Sequence, residues 1–60
     1  MIGDNIKFYR KKNQLTQDDI AEACNVTRQA VSKWENGKTQ PDIQTLSMLA
    51  STLEVSEEDL

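Results

Sequence analysis

Sixty residues limit the chain to one domain, near the lower size at which a single core can hold together. With 37% apolar residues, a net charge of -3, no histidine and one cysteine, Cys24, the composition excludes an internal disulfide, a histidine-based catalytic or metal site and a cysteine zinc cluster. No apolar run approaches the roughly 18 residues of a membrane span, "MIGDNIKFYRKKN" lacks the apolar core of a signal peptide, and the lone thiol points to the reducing cytoplasm.

The punctuation is helical: two glycines, one proline, and no sustained period-two alternation. Ile2, Ile6 and Tyr9 form an apolar stripe on a first helix that Asn13 and Gln14 end. Thr16 caps a second helix, with Asp19 three residues on as its capping-box partner and Ile20 and Ala21 facing inward. Asn25 suits the left-handed turn that ends it. Thr27 caps a third helix and Gly37 closes it in the same left-handed role. "KTQP" is a loop, and Asp42 caps a fourth helix with Ile43, Leu46, Leu49, Ala50 and Leu53 inward. Ser56 opens a fifth, whose Glu57, Glu58 and Asp59 match the positive helix end. The expectation is an all-α bundle of about five short helices over residues 1–60. So short a last helix does not stand alone, which suggests one domain of a longer protein.

Charge is unevenly spread. Residues 1–40 hold all seven bases against five acids, a net +2, whereas residues 41–60 hold five acids and no base. Such asymmetry suggests one face turned toward an anion and one turned away. The third helix offers that face. At about 100° per residue, Ala30, Val31 and Trp34 cluster on one side of Thr27–Asn36, while Arg28, Gln29, Ser32, Lys33 and Asn36 fill the opposite arc. No acid interrupts the arc; Glu35 lies at its boundary. A polar helix face is most often only solvated, but these donors suit DNA. Arginine can grip guanine O6 and N7, glutamine can grip adenine N6 and N7, and lysine reaches guanine or phosphate as a point charge.

The preceding helix strengthens that reading. Thr16–Cys24, the bend "NVT" and Thr27–Asn36 read as a helix-turn-helix over about 16–36. Gln17 lies in the first turn of the earlier helix, where free N–H groups favour a phosphate. Ser32, Asn36, Lys38 and Thr39 can hold a second stretch of backbone. Base readers between two phosphate anchors is how such contacts divide their roles.

"LTQDDIAEACNVTRQAVSKWENGKTQPD" closely resembles the Cro and phage-repressor helix-turn-helix family, also called XRE, and the likeness runs from "IKFYRKKNQLTQ" through "LSMLASTLEVS". The resemblance implies a lambda-repressor-like bundle of about five helices, binding to double-stranded DNA as a two-fold dimer on a palindromic operator, and regulation of transcription. It implies base reading by Arg28, Gln29 and Lys33, with Thr27 also facing the groove, and phosphate contacts from Gln17, Asn36 and Lys38. It also implies a partly buried ion pair between Arg10 and Glu35, so that Arg10 is structural, phosphate-binding or both. Two departures stand out: Asn25 occupies a position where relatives often have glycine, and Asp18 and Asp19 lie near the expected phosphate track.

Other readings compete for single residues. Trp34 can stack on DNA, but its side of the helix assigns it to the core. Phe8 lies off the first helix's stripe and is expected to be exposed. Cys24 reads as a small buried hydrophobe rather than a redox sensor. No enzyme is expected: there is no Gly-rich phosphate loop, and Asp18 and Asp19 point about 100° apart, a poor carboxylate pair. No cofactor or metal is implied. The rival function is a protein-interaction module that keeps the fold without DNA affinity. Net charge and the two aspartates favour it; the acid-free arc favours DNA.

Overall fold

A computed structural model describes residues 1–60. Four α-helices, α1 (Ile2–Lys12), α2 (Gln17–Cys24), α3 (Arg28–Glu35) and α4 (Ile43–Leu53), are followed by a single 3-10 turn, Glu57–Asp59. The expected fifth helix is therefore three residues of 3-10 structure, too short for any α-helical i to i-4 bond to propagate. Ser56 N–H still donates to Asp59 Oδ2 at 3.0 Å, so the cap read from the sequence closes this turn instead.

Side chains start the helices where the sequence places caps. Thr16 Oγ1 accepts from Asp19 N–H at 3.0 Å, and Asp19 Oδ2 accepts from Thr16 N–H at 2.8 Å, a reciprocal capping box. Thr27 Oγ1 accepts from Ala30 N–H at 3.1 Å and Asp42 Oδ1 from Thr45 N–H at 2.8 Å. The helix ends share one device. Gln14, Asn25, Gly37 and Glu54 all take positive φ, between 56° and 73°. At each, the amide of the next residue folds back five positions: Leu15 to Arg10 O, Val26 to Ala21 O, Lys38 to Lys33 O and Val55 to Ala50 O. These are Schellman closures, which satisfy carbonyls that a helix end leaves free.

The core is formed by Ile6 of α1, Ile20, Ala21 and Cys24 of α2, Val31 and Trp34 of α3, and Leu49 and Leu53 of α4. α2 packs on both α3 and α4, and α1 packs on α3. Ile43, expected inward, is 83% exposed, and Leu46 is only half-buried. Ile43 and Thr45 lie on opposite shoulders of the arc centred on Leu53; the fold covers the Thr45 shoulder and leaves Ile43 in solvent. Phe8 is exposed and meets Tyr9 edge-on, with centroids 5.1 Å apart.

Gly3 sets the approach of α1 to α3. A β-carbon at this position would stand 2.2 Å from the Trp34 carbonyl oxygen. Only glycine lets the two backbones meet there. No periodicity, cap or turn motif in the sequence singles out Gly3.

Candidate nucleic-acid interface

α2 and α3 are short, so their relative placement depends on what joins them. Besides the core, three polar side chains do so. Arg10 of α1 donates to Glu35 of α3 through Nε (2.6 Å to Oε2) and Nη2 (3.1 Å to Oε1), while its Nη1 donates to Leu15 O at 2.9 Å. Gln17 of α2 donates from Nε2 to Glu35 Oε1 at 3.1 Å. The Glu35 side chain is only 3% exposed and that of Arg10 11%. Burial pushes the Glu35 carboxyl up, but the hydrogen bonds from Arg10 and Gln17 and the charges of Arg10 and Lys7 outweigh it and hold the group below its ordinary 4.5. One buried carboxylate thus ties α1, α2 and α3 together.

On that frame stands the polar arc of α3. Arg28, Gln29 and Lys33 are exposed, and Val31 and Trp34 behind them are buried. No acid lies in the first turn of α3. Gln17, Arg28, Gln29 and Ser32 line one open cleft of about 310 Å³ between α2 and α3, with no hydrophobic residue in its wall. Gln17 is half-buried, lines the cleft and donates from its amide to Glu35. Thr27 is exposed, and its hydroxyl accepts the Ala30 amide as the helix cap.

The other candidates lie along the exit of α3. Asn36 Nδ2 donates to Ser32 Oγ at 3.4 Å. Lys38 and Thr39 are exposed, and both their amides turn back to the Lys33 carbonyl, at 2.9 and 3.4 Å. The structure therefore brings Gln17, Arg28, Gln29 and Ser32 into one cleft and sets Lys33, Asn36, Lys38 and Thr39 along the adjoining edge.

Two contacts here carry no signal in the sequence. The Gln17–Glu35 bond spans 18 positions and exists only because the helices cross. Asp18 Oδ1 approaches Arg28 Nε at 3.9 Å, both side chains being well exposed. Asp19 takes no part in that pair, since its carboxylate serves the Thr16 cap, which holds its pKa below the ordinary value.

The helix-turn-helix family HTH_3 matches residues 6–60. An HTH-type transcriptional regulator of Bacillus subtilis, YqaE, is 38% identical over 56 residues, covering 93% of this chain and 48% of its own length. The biofilm regulator SinR of Bacillus subtilis, solved in complex with DNA, superposes with a TM-score of 0.85 at 37% identity over 97% of this chain and 94% of that one. The c2 repressor of Salmonella phage P22, solved with a synthetic operator, superposes with a TM-score of 0.92 at 29% identity over 97% and 88%. The chain spans between 29% and 52% of the length of four of the curated relatives it matches. On the family match, these identities and the shared fold, the chain belongs to the Cro and phage-repressor helix-turn-helix family.

Proposed function

We propose that residues 1–60 bind double-stranded DNA in a sequence-specific manner as part of a cytoplasmic transcriptional regulator, a repressor in its simplest form. The observation that carries this reading is the acid-free arc of exposed donors on α3, held by a buried three-helix polar junction. α3 enters the major groove; Arg28, Gln29 and Lys33 read base edges, with Thr27 beside them. Gln17 at the start of α2, Ser32 in the cleft between α2 and α3, and Asn36, Lys38 and Thr39 at the far edge of α3 hold the flanking phosphates. The two relatives solved with DNA and with an operator support the same use of this fold. In a two-fold dimer on a palindromic operator, half-site centres lie about 10–10.5 base pairs apart.

Selection of bound duplexes from a random pool, at two salt concentrations, tests the reading. An enriched motif whose affinity falls with salt supports it, because neutralised phosphates release counterions. Arg28→Ala then flattens preference at one base pair and costs about 1–3 kcal/mol of binding. Absence of any enriched motif at low salt removes DNA reading and favours a protein-interaction module, a role that the net charge of -3 suits.

A further inference from the structure

Asp18 is an exposed carboxylate on the side of the molecule that the reading above turns toward a polyanion. Its neighbour Asp19 closes the α2 capping box, whereas Asp18, also in the first turn of α2, makes no side-chain hydrogen bond. Its contact is with Arg28, across the bend between α2 and α3, and the approach is to Nε, at 3.9 Å from Oδ1. That detail matters because an arginine has five N–H donors in a rigid planar fork. A carboxylate on the Nε edge leaves both Nη groups free, and these are the end that grips guanine O6 and N7 in parallel. A second cleft, which shares Gln17 and Arg28 with the first, is lined by Asp18 together with Arg10, Leu15 and Thr16.

We propose that Asp18 is a positioning residue for Arg28: at 3.9 Å it does not hydrogen-bond, but its charge draws the Nε edge of the guanidinium toward α2, which favours poses in which the Nη edge meets a guanine and sharpens base preference at that one position. The inference rests on DNA reading by α3. Two physical effects act together. A free arginine side chain loses rotamer freedom on binding, and a partner that already restrains it reduces this cost on the operator. A carboxylate also repels phosphate, so Arg28 held beside Asp18 is a poor backbone ligand and gains little from duplexes that lack a guanine in register. The pair is exposed and 3.9 Å long, so its own contribution is small; its role is one of orientation and sign rather than of strength.

The experiment compares the base-preference profiles of the wild type, Asp18→Asn and Arg28→Ala on the selected duplex and on every single-base variant of it. Thermal unfolding of each variant serves as the control for folding. Asp18→Asn removes the charge and keeps the shape. Its preference for guanine at the pair read by Arg28 falls by about twofold to fivefold, the span of an exposed ion pair, while preferences at positions read by Gln29 and Lys33 hold. Affinity for unrelated duplex rises at the same time. An Asp18→Asn profile identical to wild type, with Arg28→Ala flattening one position, overturns the positioning role and leaves base reading intact. A uniform loss over all positions also overturns it, because Asp18 would then act through α2 rather than through Arg28. If Arg28→Ala itself changes no position, base reading by Arg28 fails and the inference fails with it.

Discussion

Arg10 and Glu35 meet at 2.6 Å in a site almost closed to water. A buried pair of this kind contributes little beyond an apolar pair of the same size, but removing one partner strands the other. Arg10→Met leaves the Glu35 carboxylate with Gln17 alone, and the loss at neutral pH is about 3–5 kcal/mol, comparable with the whole stability of a small domain. Acid narrows the gap. In the wild type the folded pKa of Glu35 lies below 4.5, so its contribution is present above 4.5 and disappears as pH falls through the folded value. In Arg10→Met, burial is offset only by Gln17 and Lys7, and the carboxyl is protonated more readily. Denaturant unfolding at pH 7 and pH 4 should show a smaller difference between the two proteins at pH 4; an equal difference would mean that Glu35 is not the stranded group. Periodicity and capping do not reveal this pair, since 25 positions separate its members. Only the family resemblance implied it, and Gln17 as the third member was not foreseen.

At the scale of helices, the starts and most of the inward faces were legible, and the exceptions lie where one helix meets another. Thr16, Asp19, Thr27 and Asp42 declare themselves because a cap is a local interaction over three residues. Ile43 misled because an apolar residue on the shoulder of a stripe is buried only if a neighbour reaches that shoulder. Gly3 was silent for the converse reason: its function is the backbone of another helix, 2.2 Å from where a methyl would stand. This position allows a sign test. In a free helix, Gly→Ala stabilises by about 0.8–1 kcal/mol, whereas forcing a methyl into a closed contact costs about 1–3 kcal/mol. Because the obstructing atom is a backbone oxygen and cannot rotate away, the second effect wins, and Gly3→Ala should lower the unfolding midpoint. A raised midpoint would show that α1 slides along α3 without loss.

For the molecule as a whole, half of the acids follow Pro41, away from the proposed reading residues in sequence. Glu54, Glu57, Glu58 and Asp59 follow α4, and the 3-10 turn packs back on α4. Net charge therefore describes this chain poorly as a partner for DNA; the sign of the surface that arrives first decides. Binding should weaken with salt in spite of the -3 total. Lys38→Ala should weaken binding on every sequence alike and make the salt slope shallower by about one unit. An unchanged slope would remove Lys38 from the phosphate set. Base-reading candidates were legible because they lie on one helix with a clean arc, while Asp18 as a partner of Arg28 was not, because the bend between α2 and α3 brings the two together.

The four left-handed helix closures have a consequence for how long the protein lasts in a cell. Gly37 adopts that conformation freely and Asn25 with little penalty, but Gln14 and Glu54 are ordinary side-chain residues at φ 59°. Such a residue gives up about 1–2 kcal/mol there, more than the roughly 0.4–1 kcal/mol that a glycine loses to the freedom of the unfolded chain. A domain of this size is stable by only about 3–9 kcal/mol at 0.05–0.15 per residue. Small changes at these two exposed turns thus move the fraction open to proteases severalfold. Copy number can be tuned at Gln14 and Glu54 without altering a single residue of the proposed reading surface.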